Sequence, residues 1–93
     1  MIERQGAGLH VTVPMVMANA CGLLEAGRSV FAQADEVIDL GAVTEADSSA
    51  LAVMLGWLRL AEASGRRLAF ANTPAGVRSL ADLYGVVDLL PLV

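Results

Sequence analysis

Apolar and polar positions alternate over Leu9-His-Val-Thr-Val13: Leu9, Val11 and Val13 fall on one side and His10 and Thr12 on the other, the period of a strand with one buried face. Ile2 to Gln5 reads as a preceding edge strand, Gly6 to Gly8 as the turn of a hairpin, and Pro14 as the end of the ladder, since it has no N–H to donate. From Ala18 to Ala34 the spacing changes to three and four, with Ala20, Leu23, Leu24, Gly27, Val30 and Phe31 on one side, which predicts a helix. Gly22 and Gly27 weaken that helix and let a neighbouring element lie close to it. Glu36-Val-Ile-Asp-Leu40 reads as a short interior strand covered on both faces, and Leu68-Ala-Phe-Ala71 as a further apolar strand. Thr73-Pro74 predicts a helix start with Thr73 as its cap. The helix from Pro74 to Tyr84 buries Val77, Leu80 and Ala81, with Tyr84 at its margin, and stops at Gly85. The apolar tail from Asp88 to Val93 is expected to pack back onto the domain or onto a partner.

Between these lies the stretch that organises the chain, a polar turn running into an apolar helix. Asp47 offers a short carboxylate to the free amides of a helix start, and Gly65 supplies the left-handed residue that commonly follows a helix end, so the helix is expected from Ser48 to Ser64. Ala50, Val53, Met54, Trp57, Leu58 and Ala61 share one face and should be buried against a sheet. Ser48, Ala52, Leu55 and Arg59 align on the opposite side, where a solvated helix would carry several charges, yet Arg59 and Glu62 are the only charges between Ser48 and Gly65. Such a stripe has two readings: a contact surface of modest size that begins at a hydroxyl, or an Ala-rich helix that tolerates one exposed leucine.

The element order β-β-α-β-α-β-α predicts one α/β domain over residues 1–93, with a mixed four- to five-stranded sheet whose later strands are parallel and joined by right-handed helical crossovers. A chain of 93 residues has room for one core and no second domain. The net charge of −4 and the absence of lysine argue against nucleic acid as partner, because a phosphate backbone is held by clustered cations. Although 56% of the residues are hydrophobic, no apolar run approaches the roughly 20 residues of a membrane span. The start Met1-Ile-Glu-Arg-Gln-Gly lacks the pattern of a secretory signal, so a cytoplasmic location is expected.

Groups that would do covalent chemistry do not converge in this sequence. It contains no phosphate loop of the type G-x-x-x-x-G-K-S/T, no G-x-G-x-x-G, no C-x-x-C and no H-E-x-x-H, so no enzyme, no cofactor and no metal is expected. His10 stands on the wet side of its strand with no second histidine or thiol to share a metal. Cys21 reads as a small buried hydrophobe on the first helix. Glu45 and Asp47 are close in sequence, but two acids at a helix start are commonly capping and dipole partners. A free-standing small-ligand domain finds no support, since no polar cluster marks a pocket.

The strand Val37-Ile-Asp-Leu40, the helix start Asp47-Ser-Ser, the break at Gly65 and the closing Val77-Arg-Ser-Leu-Ala-Asp-Leu-Tyr84 with Leu90-Pro91 behind it resemble the STAS family along nearly the whole chain. Within that family the likeness is greatest to the STAS subunits of Mla-type ABC phospholipid transporters, which implies a STAS-like fold without catalysis. It also implies an ABC transporter ATPase subunit as partner, within a complex that includes permease and substrate-binding subunits, and a peripheral position on the inner membrane. The implied role is maintenance of outer-membrane lipid asymmetry. By the same resemblance Ser48 matches a residue thought to matter for contact with the ATPase, and Asp47, Ser48, Ser49, Ala52, Leu55 and Arg59 are the partner-binding candidates. In the anti-sigma factor antagonists of the family the phosphorylated serine matches Ser49, which gives the alternative reading. Added phosphate there would change the local charge by about −1.5 to −2 beside a helix start that tolerates it. Ala50 departs from the family, where glycine is usual.

Overall fold

The computed structural model describes all residues 1–93. Alternation along the first hairpin is realised as β1 (Ile2–Gln5) antiparallel to β2 (Gly8–Val11), with Ile2 opposite Val11 and Gln5 opposite Gly8. Gly6, at φ 62°, makes the tight connection in a backbone region that few other residues adopt. After α1 (Met17–Gln33) the chain enters β3 (Glu36–Asp39), and after α2 (Ser49–Ala63) it enters β4 (Leu68–Ala71). β2, β3 and β4 are parallel neighbours, so the sheet order is β1-β2-β3-β4. α3 (Ala75–Leu83) and a short 3-10 turn at Val87–Leu89 complete the chain. This is an α/β single domain with a mixed four-stranded sheet, as the element order implied.

Because the parallel strands succeed one another in one direction across the sheet, right-handed crossovers put α1 and α2 on the same face. Leu9, Val11, Ile38, Leu40, Leu68 and Phe70 are buried beneath them. The other face carries no helix: Val37 is 47% exposed, and His10 and Asp39 are half-buried. This corrects the expectation that β3 is covered on both faces. Both crossovers lie on one side, so a run of apolar residues here marks parallel pairing and not a second layer.

α1 and α2 interlock. Trp57 is fully buried, its indole Nε1 donates to the carbonyl of Leu23 at 3.0 Å, and its ring lies 5.2 Å from that of Phe31. Gly27 makes this possible: a Cβ there would overlap the Trp57 indole nitrogen. On the other partner, a Cβ at Gly56 would meet Leu24 Cδ2 at 2.5 Å. One glycine on each helix thus receives a large side chain of the other, as the glycines of the first helix led us to expect for Gly27. Cys21, in contrast, is exposed. It lies on the same helix as Leu23 and Gly27 but off the stripe that they form, so its expected burial is not found.

Both later helices end in the same way. Gly65 (φ 68°) donates to Glu62 O and Arg66 N–H to Ala61 O; Gly85 (φ 70°) donates to Asp82 O and Val86 N–H to Ala81 O. These paired bonds satisfy carbonyls that a helix end leaves free. The start of α3 differs from expectation, because Thr73 makes no capping bond and its Oγ1 is buried without a partner; Pro74 stands before the helix instead of within it. Tyr84 is 58% exposed, outside the core that Val77 and Ala81 join. The tail packs back as foreseen: Leu90 is buried, Phe70 N–H donates to Pro91 O at 2.9 Å, and Val93 N–H to Phe70 O at 2.8 Å. That single parallel bridge, Phe70 to Leu92, covers part of the free edge of β4.

The interlock gives a test of its magnitude. Gly27→Ala gains up to about 1 kcal/mol of helix propensity, but overpacking against a buried indole costs about 1–3 kcal/mol, so the variant should melt lower than the wild type. Trp57→Phe keeps an aromatic side chain but loses the hydrogen bond to Leu23 and part of the ring's volume, and should cost about 1–3 kcal/mol by denaturant titration. Unchanged stability in both variants would remove the interlock as a principal source of cohesion.

Candidate functional site

Beyond the ends of β2 and β3 the chain continues to pair. Met15 N–H donates to Glu45 O at 3.0 Å and Asp47 N–H to Met15 O at 3.1 Å, a parallel bridge between Met15 and Ala46. This pairing delivers Asp47 to the starts of both α1 and α2. Its Oδ2 accepts the amide of Met17, the first residue of α1, at 3.0 Å. Its Oδ1 accepts the amide of Ser49 at 2.9 Å and also the Ser49 hydroxyl.

Neither helix has a side-chain cap of its own, and neither has an acidic residue in its first turn. Helix starts leave amides that need acceptors and carry a partial positive charge. Asp47 supplies acceptor and negative charge to both starts at once. Its capping of the second helix was legible from the sequence, although that helix begins at Ser49 and not Ser48. Its capping of α1 was not. The available signal was Val16 before Met17, a helix start with nothing local to cap it.

Bonding to the Ser49 hydroxyl, then to the Met17 and Ser49 amides, holds the Asp47 carboxyl below its ordinary pKa, outweighing desolvation. A second lowered carboxyl stands at the end of β3. Asp39 accepts the Gly41 amide at 2.7 Å and the Asn72 side-chain amide at 2.9 Å. The Gly41 bond is the largest cause of the shift, burial opposes it, and Asn72 and the nearby His10 add to it. Asn72 adopts φ 53°, a left-handed conformation that asparagine tolerates. Asp39 and Asn72 were not singled out in the sequence reading, because their 33-residue separation is closed only by β3–β4 pairing.

The remaining candidates divide by exposure. Ser48, Ala52 and Arg59 are exposed and Arg59 has no ion pair, so they form an outward ridge that begins beside Asp47. Leu55 is half-buried and packs on the core, contrary to a fully outward position. α2 touches both α1 and α3, which narrows its solvent-facing arc. Ser49 is only 8% exposed, with its hydroxyl directed to Asp47. Ala50 is fully buried, so its methyl occupies core space. Met17, 73% exposed, lies at the same end and was not among the candidates. No group of three or more His, Cys, Asp or Glu side chains is arranged to hold a metal ion, and no helix is long and apolar enough to cross a membrane.

Replacing Asp47 by Ala removes an acceptor from two helix starts and should lower the melting temperature, while Asp47→Asn, which keeps one acceptor oxygen, should lower it less. The depressed carboxyl pKa values set a sign for pH. A group more acidic in the folded than in the unfolded chain stabilises above its unfolded pKa, and that contribution is lost as pH falls through the folded value. The wild type should therefore lose stability as pH falls below about 4. The Asp39→Asn and Asp47→Asn variants should show a shallower loss over the same window in a pH series of melting temperatures.

A sequence model of the family described as "Mlab, STAS domain" matches residues 2–91. No curated protein matches the chain. Among solved structures, a protein described as an anti-sigma factor antagonist from Thermotoga maritima superposes with a TM-score of 0.74 at 14% identity, over 99% of this chain and 83% of that one. The anti-sigma factor antagonist SpoIIAA in its unphosphorylated form gives 0.72 at 15% identity, over 100% and 86%. An anti-sigma-factor antagonist (STAS) domain protein from Planctomyces limnophilus gives 0.70 at 13% identity, over 99% and 86%. At such identities these structures show a common fold and nothing finer. Matched almost end to end by the sequence model and superposing on these three domains, the chain belongs to the STAS family.

Proposed function

We propose that the protein is a non-catalytic STAS subunit that binds the ATPase of an ABC phospholipid transporter and supports its working state. In this reading it sits on the cytoplasmic side of the inner membrane, held there through the permease and substrate-binding complex, and contributes to outer-membrane lipid asymmetry. The observation that carries it is the charge-poor ridge Ser48, Ala52 and Arg59, open to solvent and starting from a turn whose backbone is pinned by Asp47. A ridge held on a rigid helix loses little conformational freedom on docking. The family description, which names Mlab, supports the transporter branch of the family over the other.

A second reading has the chain as an anti-sigma factor antagonist with Ser49 as the phosphate acceptor. It is supported by the descriptions of the three similar structures. Against it stands the Ser49 hydroxyl, buried and bonded to Asp47, which a kinase would first have to release. A phosphate there would also meet the Asp47 carboxylate, a like charge.

Co-expression with the ABC ATPase encoded in the same genome should give one stable complex. Ala52→Asp and Ser48→Trp should each abolish it while leaving the melting temperature of the isolated domain unchanged; Leu55→Asp is a poorer probe, because that side chain also supports the core. Retained complex formation in both exposed variants would reject the ridge. Incubation with an anti-sigma serine kinase and ATP should leave the mass of the chain unchanged, whereas one added phosphate mapped to Ser49 would favour the second reading.

A further inference from the structure

A cleft of about 790 Å³ opens where the leading ends of β3 and β4, the last turns of α2 and the C-terminal segment meet. It lies at the far end of α2 from Ser48, next to the Arg59 end of the ridge, and none of its lining residues belongs to the ridge. Its volume is within the roughly 300–1,000 Å³ of pockets that take small organic ligands. Leu58, Leu68 and Leu90 give it an apolar lining, and Val37 and Leu89, which are 47% and 63% exposed, border it as well. Two of the large apolar side chains left open to water therefore converge on one concavity. The sequence held no sign of it, because its walls come from five separate segments.

The charges around it select among ligands. Six ionisable residues line the cleft: Asp35, Glu36, Glu62, Arg66, Arg67 and Asp88. Glu36 is paired with Arg4 at 2.7 Å, and Asp35 accepts the backbone amide of Arg67 at 2.8 Å. Asp35, Glu62, Asp88, Arg66 and Arg67 have no ion pair. A simple anion would meet more carboxylates than guanidinium groups, and a simple cation would leave both arginines unused. Unpaired groups of both signs beside an apolar lining match a ligand that bears both charges on an apolar body.

We infer that this cleft binds a small zwitterionic amphiphile. Arg66 and Arg67 take its acidic group, Glu62 and Asp88 take its ammonium group, and its apolar body lies on Val37, Leu58 and Leu89. The shared chemistry is found in a lipid-like zwitterion and in a free apolar amino acid, and two probes separate them.

The chain of residues 1–93, labelled with nitrogen-15, is titrated with dodecylphosphocholine below its micellar concentration and, separately, with L-phenylalanine. Saturable amide shifts centred on Val37, Leu58, Arg66 to Ala69 and Leu89 are expected with at least one probe, and which probe saturates first identifies the source. The Arg66→Ala/Arg67→Ala double variant should weaken binding about tenfold or more, the scale of lost hydrogen bonds to charged groups, with no change in melting temperature. Leu89→Ser should weaken it as well through a side chain that carries no charge. The inference is overturned if neither probe gives saturable shifts at the cleft. It is equally overturned if dodecyltrimethylammonium binds as tightly as the zwitterion, or if both variants bind like the wild type.

Discussion

Burial of Trp57 between α1 and α2 is the contact on which the remaining architecture depends. A side chain this large can enter the space between two helices only where one of them lacks a Cβ, and Gly27 provides that gap. The indole N–H needs an acceptor once it leaves water, and the Leu23 carbonyl supplies it. Those two requirements together fix the lateral position of α2 against α1 and its rotation about its own axis. Since both helices roof the same face of the sheet, they also decide which residues of α2 face outward.

With rotation fixed, a second constraint sets the ends. Asp47 ties the first amide of α1 to the first turn of α2, so the two helix starts cannot shift independently. The same carboxylate holds the Ser49 hydroxyl inward and leaves Ser48 as the exposed hydroxyl at this end. A motif of two adjacent serines is thus divided by one hydrogen-bond acceptor into a structural member and an accessible one. The division bears directly on function, because a partner that reads an unmodified surface meets Ser48, while a kinase that modifies Ser49 must undo a bond that organises two helices.

The molecule is also polar along its length in an architectural sense. Helix starts, Asp39, Asp47 and the Ser48 end of the outward ridge gather at the trailing ends of the parallel strands. The mixed-charge cleft occupies the leading ends. α2 spans the distance between them, about 22 Å at 1.5 Å per residue over its 15 residues. The sheet face without helices, with Val37 half-exposed on it, is a third surface, and its character follows from both crossovers falling on the same side.

Local chemistry in the sequence determined the element order, the hairpin, the glycine-terminated helices and the inward face of α2, because periodicity, turn residues and capping depend on neighbours a few positions apart. It also determined that Asp47 begins a helix. Only the tertiary structure decided the rest. That Asp47 caps a second helix, that Asp39 meets Asn72, that Leu55 is drawn toward the core, that Cys21 points to water and that six ionisable residues surround one cleft all depend on strands and helices separated by tens of residues coming together. Apolar pattern specifies that a residue is buried somewhere; packing specifies against what. Val37 shows the limit most plainly, since an apolar residue in an interior parallel strand is covered only if a crossover passes over its face, and here none does.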